Sequence, residues 1–225
     1  MGDFNYELEI RRSKNRKKTV SIRVEPNLVI LNVPQDFTDK EAKELLEKKE
    51  TWLNTQLKKT SLAFCPVSLA YGTKLPFLGS YVTLAPAISN TEEISLNQDI
   101  LFVPKKLLNK EELYSWYRKQ ADIHLKERTS AISKTLGFTF NNIRIKDQKT
   151  RWGSCSSKNN INLSWRLVLL PQKVMDYVII HELCHLQEMN HSDRFWSLVE
   201  QYCPDYKTSK KYLKKHSQKI QAFLS

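Results

Sequence analysis

The sequence predicts an α+β fold, in which a β-rich N-terminal region with one long helix precedes a second domain centred on a histidine-containing helix. Short segments of alternating apolar and polar residues fill most of the first hundred positions, which is typical of half-buried strands. Two long segments with helical spacing begin near residues 39 and 109, and alternation returns after residue 138. The 225 residues, 40% of them hydrophobic, suffice for two domains, which we expect at 1–107 and 108–225.

The N-terminal region is predicted to combine a small sheet with a single helix. Its strands are expected at residues 6–10, 19–24 and 28–33, with Pro26 and Asn27 in the turn of a hairpin. Thr38 and Glu41 have the spacing of a capping box, and apolar residues then recur at helical intervals. One helix over residues 39–59 is therefore expected to pack on this sheet.

Four short strands and a second long helix are predicted next. The strands are expected at residues 74–77, 81–85, 93–96 and 100–103, because glycine and asparagine residues separate these short apolar segments. Asn109 and Glu112 have the spacing of a helix start, and Gly137 suits the left-handed conformation that ends many helices. The segment between them carries a continuous apolar stripe, which indicates one long buried helix.

A small antiparallel sheet is predicted between this helix and the next. Its strands are expected around Ile143 and Ile145, over residues 152–156 and over residues 161–165, with a hairpin turn at 158–160. An exposed edge strand in such a sheet can bind an extended peptide by strand addition. Pro171 fits the first position of the following helix, and further helices are expected at 192–202 and 208–223.

The helix after this sheet contains the motif HELCH, and a third histidine follows six residues later. Residues four apart lie on one face of an α-helix, so His181 and His185 can bind the same ion. Glu182 can instead reach a water held by that ion and act as a general base. Since Zn²⁺ with three protein ligands keeps a fourth position open, we predict a catalytic Zn²⁺ site formed by His181, His185 and His191.

The third histidine requires the chain to reverse direction. A separation of ten residues does not place His191 on the face of the other two histidines, so the helix is expected to stop after about Glu188. Metzincin peptidases use a glycine at the position of Glu188, which argues against that class. Asn190 is the predicted turn residue, because asparagine tolerates the left-handed conformation.

Charge and cysteine content bear on partners and location. The net charge is +12; six of the eight residues 11–18 are basic, and residues 207–219 include six lysines. Such runs can bind nucleic acid or form a solvated surface, and both interpretations stay open. The chain shows neither a secretory h-region nor a membrane-spanning apolar stretch, and its four cysteines lack CxxC spacing. We expect a cytoplasmic protein with free thiols and no membrane contact.

Several segments resemble those of one known family. They are Arg151-Trp152-Gly153-Ser154-Cys155, Pro171, the HELCH motif, Asn190-His191-Ser192 and Phe195-Trp196. Together with the basic N-terminal segment, they are similar to the YgjP-like metal-dependent hydrolases, a group related to SprT-like and other zincin peptidase domains. The resemblance implies a zincin-like domain with an HExxH active-site helix. It also implies that His181, His185 and His191 bind zinc and that Glu182 is the catalytic carboxylate.

The expected substrate is a peptide or protein. In that reaction Zn²⁺ polarises the scissile carbonyl, while Glu182 takes a proton from the zinc-bound water and delivers it to the leaving amine. Arg151 is a candidate for stabilising the oxyanion, and Trp152 is a candidate for a cleft wall. The alternatives, an exposed turn charge and a buried aromatic, stay open for these two residues.

Two other functions are compatible with the residues. The same site could hydrolyse the phosphoanhydride of a nucleotide, with the basic surface attracting the anion. Alternatively, the basic hairpin at residues 11–18 and the C-terminal helix could bind nucleic acid and recruit a DNA-associated protease.

Overall fold

The computed structural model describes residues 6–25, 28–63, 69–87, 92–148 and 150–224. Contacts between residues group the chain into two compact units, residues 1–66 and 67–225. This division differs from the boundary expected at residue 107. The reason is that the strands between residues 74 and 103 bury Leu75, Leu84 and Val103 in the same core as Leu113 and Tyr117.

The first unit contains a three-stranded sheet. Its strands are β1 (Glu7–Ser13), β2 (Ser21–Glu25) and β3 (Leu28–Pro34), in the order β1-β3-β2. The predicted hairpin of β2 and β3 is confirmed, whereas β1 pairs with β3 in parallel. The basic segment 11–18 is therefore not a hairpin: it comprises the end of β1 and the connection to a strand on the other side of β3. The predicted turn residues Pro26 and Asn27 lie outside the described residues.

Two helices replace the single predicted helix of this unit. They are α1 (Asp39–Lys48) and α2 (Glu50–Ala63), which are separated at Lys49. The predicted capping box is confirmed, because Thr38 accepts a hydrogen bond from the Glu41 amide and Glu41 bonds back to Thr38. The break allows each helix to cover its own part of the sheet: α1 packs Ala42 against Leu31, and α2 packs Leu53 against Val29.

The second unit begins with a four-stranded sheet, as the alternating pattern predicts. Its strands are β4 (Lys74–Phe77), β5 (Ser80–Pro86), β6 (Ser95–Asn97) and β7 (Ile100–Val103), in the order β4-β5-β7-β6. Helix α3 (Lys110–Leu136) follows, capped by Asn109 and ended by Gly137 with a φ of 74°. Both predicted caps of this helix are thereby confirmed. The Tyr117 hydroxyl of α3 donates a hydrogen bond to the Pro76 carbonyl over 2.8 Å and joins the helix to β4.

The third sheet differs from the prediction in one pairing. Its strands are β8 (Asn142–Lys146), β9 (Gly153–Cys155) and β10 (Asn160–Ser164), in the order β8-β10-β9. The hairpin of β9 and β10 is antiparallel, but β8 is parallel to β10, so the expected purely antiparallel sheet is wrong. The cause is that the chain crosses from β8 to the far side of β10 before the hairpin forms. Trp165 begins a 3-10 helix, Trp165–Leu169, and does not extend the last strand.

Three helices complete the second unit. They are α4 (Gln172–Cys184), α5 (Asp193–Tyr202) and α6 (Tyr206–Gln221). Pro171 is the N-cap of α4 rather than its first residue, and α4 ends at Cys184, four residues before the expected end. Asn190 is not among the residues with positive φ, so its predicted left-handed conformation is wrong. None of the helices described is long and apolar enough to span a membrane.

Candidate metal centre

Helix α4 fixes the positions of the first two histidines, because most of its surface is buried in the core of the second unit. Val178, Ile179 and Leu183 are at most 3% exposed and anchor the helix in the core of the second unit. His181 lies in the last turn of α4, and His185 is the residue that caps its C-terminus. The position of both histidines therefore follows from the packing of the preceding apolar turns.

His191 reaches the other two histidines through a tight reversal after α4. The amides of Gln187 and Glu188 donate to the Cys184 carbonyl, so a short turn replaces the continuation of the helix. Ser192 then caps α5 by accepting a hydrogen bond from the Phe195 amide. The early end of α4 thus provides the change of direction that the sequence spacing required.

The three imidazoles converge on one point. One ligand nitrogen from each of His181, His185 and His191 lies within 4.8 Å of the others, and the Nε2 atoms of His181 and His191 are 3.1 Å apart. The Nδ1 atom of His185 lies 3.0 Å from the Glu188 carbonyl oxygen. A proton on this Nδ1 atom leaves Nε2 of His185 free to face an ion, which is a common arrangement for metal-binding histidines.

The electrostatics of this cluster suit a transition-metal ion. Burial, followed by the charges of His185, His191 and Lys210, lowers the pKa of His181 to about 3. Burial also lowers the pKa of His185. Neutral imidazoles are the form that binds metal, and a set of three nitrogen donors fits Zn²⁺, Cu²⁺, Ni²⁺ or Fe²⁺ better than oxygen-seeking Mg²⁺. Within the described residues, no other histidine, cysteine or carboxylate group forms such a cluster.

Glu182 lies beside the histidines in a confined position. Glu182 is 5% exposed, and burial raises the pKa of its carboxyl to about 8. The charge of Arg151 lowers this pKa, but its effect is smaller than that of burial. A Cβ atom built on Gly153 would lie 2.6 Å from Cγ and Oε1 of Glu182. Glycine is therefore required at position 153 by close approach, because the Glu182 side chain occupies the space of a β-carbon.

A cavity of about 240 Å³ opens onto these groups. Its lining consists of Gly153, Ser154, Cys155, His181, Glu182, His185, Met189 and His191. One wall is strand β9, which pairs with β10 on one side and forms an edge of its sheet. The cavity thus combines a cluster of three histidines that could hold a metal ion, a buried carboxyl group and a strand edge.

The two predicted substrate residues lie next to the cavity but are not part of the described lining. Arg151 is exposed immediately before β9, and its charge reaches Glu182. Trp152 is half-buried and packs against the hydrophobic core. Their neighbours Gly153, Ser154 and Cys155 form the wall instead. A glycine inside a predicted strand often marks such a close approach, and this signal could have identified Gly153 from the sequence.

An aromatic stack packs against two of the histidines. Phe195 stacks on His185 with ring centroids 4.4 Å apart, and Trp196 stacks on His191 at 5.7 Å. Tyr206 continues the stack beyond Trp196 at 5.4 Å. This arrangement was not predicted, although two adjacent aromatic residues, four and five positions after the third histidine, were a visible signal.

Of the remaining histidines and cysteines that the structure describes, only Cys155 lines the cavity of the metal centre. His124 contacts Phe77 and lines a separate cavity of about 320 Å³, and His216 packs on Tyr212. Cys184 is fully buried, as expected of a core residue. Cys155, Cys184 and Cys203 are free thiols, whereas Cys65 lies outside the described residues.

The comparison with protein families agrees with this geometry. The sequence matches the family described as "YgjP-like, metallopeptidase domain" over residues 18–216. The chain belongs to this family. The resemblance found in the motifs is confirmed, and the protein is a metal-dependent hydrolase whose domain implies a peptide or protein substrate. The family does not identify the ion.

Two solved structures of metallopeptidases are similar to part of this YgjP-like chain. The zymogen of abylysin from Pyrococcus abyssi is 26% identical, covers 40% of this chain and 93% of its own, and has a TM-score of 0.37. The zymogen of jannalysin from Methanocaldococcus jannaschii is 26% identical, with coverages of 40% and 95% and a TM-score of 0.35. No curated protein matches the chain.

Proposed function

We propose that this protein is a zinc metallopeptidase in which His181, His185 and His191 bind Zn²⁺ and Glu182 is the catalytic carboxylate. The observation that carries the proposal is the convergence of three imidazoles and one buried carboxyl group on a single cavity. Three nitrogen ligands leave a tetrahedral ion with one open position, as catalytic zinc sites require.

In the proposed reaction, the ion and the side chains of the protein have separate roles. Bound Zn²⁺ supplies Lewis-acid chemistry, which acidifies a water molecule and polarises the scissile carbonyl. Glu182 accepts a proton from the attacking water and transfers it to the leaving amine. Burial raises the pKa of the Glu182 carboxyl to about 8, so its ionised form is a stronger base than the carboxylate of an exposed glutamate. His185 is oriented by the Glu188 carbonyl and keeps its Nε2 atom directed at the site.

Strand β9 provides a place for an extended peptide. It is an edge strand, and its three residues line the cavity beside Glu182. A peptide that adds to this edge would run past the histidines, with its backbone held by hydrogen bonds and its side chains directed alternately to either side. Arg151 remains our candidate for stabilising the oxyanion, since its charge reaches Glu182 from the start of β9, and Trp152 remains a candidate for the cleft wall.

The proposal is tested by metal content and by hydrolysis of unfolded proteins and peptides. We expect about one Zn²⁺ per chain by elemental analysis, in agreement with a single three-histidine cluster in the described residues. His185→Ala should lose this ion, while Glu182→Gln should keep it and lose peptide hydrolysis. Full activity of the Glu182→Gln protein against a confirmed substrate would refute the role of this carboxylate.

The predicted nucleic-acid contacts stay a separate prediction. The segment 11–18 has part of its charge paired, because Arg11 bonds to Glu9 and Arg12 bonds to Asp39. A salt-dependent association with DNA would support this prediction, and the absence of binding at low salt would remove it. The cytoplasmic location likewise stays a prediction.

A further inference from the structure

Helix α6 brings a concentrated positive charge to the metal centre. It contains six lysines and no aspartate or glutamate. All six are exposed, namely Lys207, Lys210, Lys211, Lys214, Lys215 and Lys219. The first residue of α6, Tyr206, stacks on Trp196, so the N-terminal end of this basic helix lies beside the ring that supports His191. The positive end of the helix dipole adds to the charge at this place.

Lys210 is held close enough to the histidines for its charge to act on His181. Its Nζ atom lies 4.1 Å from the centre of the Trp196 ring, within the range of a cation–π interaction. The same ring is 5.8 Å from the His181 ring and 5.7 Å from the His191 ring. One aromatic side chain therefore separates the ammonium group from two residues of the metal centre, and the interaction holds the lysine there.

The charge of Lys210 is not neutralised by an acidic partner. Within the described residues it forms no ion pair, whereas Lys207 bonds to Glu200 over 3.2 Å. The other acidic residues of the adjoining helix ends are Asp193, in the first turn of α5, and Asp205, at the cap of α6. The ammonium group is thus available to an anionic group of a bound ligand.

We infer that Lys210 and the N-terminal end of α6 select peptide substrates that carry a carboxylate close to the scissile bond. This inference rests on the proposed peptidase function and gives it a substrate class. The carboxylate can belong to an aspartate or glutamate side chain or to the C-terminus of a short peptide. The structure favours a peptide over nucleic acid at this point, because the adjoining cavity of about 240 Å³ is small and has Met189 and the edge strand β9 in its walls.

The test uses the full chain loaded with Zn²⁺ and a tryptic digest of a whole-cell protein extract. Mass spectrometry identifies the peptides that the wild-type protein cleaves and the Glu182→Gln protein does not. Synthetic copies of the cleaved peptides are then compared with copies in which acidic residues are replaced by their amides, and with copies that end in a C-terminal amide. These two sets of copies distinguish a side-chain carboxylate from a terminal one.

Three lysine variants separate the local effect of Lys210 from the net charge. Lys210→Gln removes the ammonium group, Lys210→Arg retains a cation over Trp196, and Lys219→Gln removes the same charge at the other end of α6. Residue 219 lies nine positions along the helix, about 13 Å away. Lys210→Gln should lower kcat/KM for carboxylate-bearing peptides about fivefold, which is near the upper limit for a solvent-exposed ion pair, and leave neutral copies unchanged. The other two variants should behave as the wild type.

Several results would overturn the inference. Equal cleavage of acidic and neutralised copies by the wild type would do so while leaving the peptidase function intact. Equal effects of Lys210→Gln and Lys219→Gln would show a general charge effect instead. If a 20-base-pair DNA duplex, but no acidic peptide, loses binding in the Lys210→Gln protein, the site is a nucleic-acid surface. Identical digests from the wild type and the Glu182→Gln protein would refute the peptidase function and this inference together.

Discussion

Replacing Gly153 with alanine tests directly whether the sheet positions Glu182, the proposed catalytic carboxylate. The added Cβ atom would lie 2.6 Å from Cγ and Oε1 of Glu182 and 2.8 Å from its Cδ. Ordinary contacts between carbon atoms lie at about 3.5–4.0 Å, so the carboxylate and the alanine must separate by about 1 Å. Glu182 is only 5% exposed, so the free space beside its side chain is confined to the cavity of the metal centre.

The size of the effect follows from this displacement. A misplacement of about 1 Å in a reacting group can lower the rate about 100-fold. Crowding of a packed interior by one extra carbon typically costs about 1–3 kcal/mol of unfolding free energy. The histidines are not among the atoms that the new Cβ meets, so the bound metal should be retained. We therefore expect kcat/KM to fall about 100-fold while one Zn²⁺ per chain remains.

The assay compares peptide hydrolysis, metal content and thermal unfolding of Gly153→Ala with those of Gly72→Ala. The control is matched in chemistry and lies in the same unit, but a Cβ atom at position 72 meets nothing within 4 Å. Its φ of +86° makes alanine strained there, so the control should lose about 1–2 kcal/mol of stability without losing activity. If Gly153→Ala kept at least half of the wild-type kcat/KM, the close approach of β9 would not position Glu182 and the reasoning would be wrong.

Three further outcomes are expected. His191→Ala should bind Zn²⁺ more weakly than the wild type in a chelator competition, because one of three converging nitrogens is lost; unchanged affinity would exclude His191 as a ligand. Asn109→Ala should lower the free energy of unfolding by about 1 kcal/mol in denaturant titrations, since the cap of α3 is removed; a change below about 0.3 kcal/mol would contradict this. Burial alone would raise the pKa of Asp147, but the hydrogen bond and the charge of Arg166 outweigh burial, so the pKa is lowered. The ionised Asp147 is therefore favoured in the folded state, and the pair should stabilise the fold above about pH 4 and progressively less below it. Thermal unfolding from pH 7 to pH 3 should therefore show a difference between wild type and Asp147→Asn that shrinks with acid, and a constant difference would refute the pair's role.

Structural features that depend on residues close together in the chain could be predicted from the sequence. The caps of α3 at Asn109 and Gly137, the capping box of Thr38 and the hairpin of β9 and β10 all rest on contacts within a few positions. The two histidines four residues apart likewise needed only the geometry of one helical turn. Because these signals are local, the α+β class, most elements and the three histidines could be predicted from the order of the residues alone.

Other features depended on residues far apart in the chain. The break at Lys49 follows from the way two helices cover different parts of one sheet, and the parallel pairing of β8 with β10 follows from a crossing that no local pattern encodes. The early end of α4 decided how His191 returns to the site, although its predicted turn residue was wrong.

The sequence by itself indicated a metal-dependent hydrolase, since residue types and spacing within one segment specify which side chains can bind a metal and which can transfer a proton. Only the tertiary structure decided how those side chains are confined and charged. Gly153 meets Glu182 from a strand 29 positions earlier, and Lys210 approaches His181 across Trp196 from a helix 29 positions later. Both contacts arise from packing between elements, and packing distances are not encoded by the periodicity of any single element.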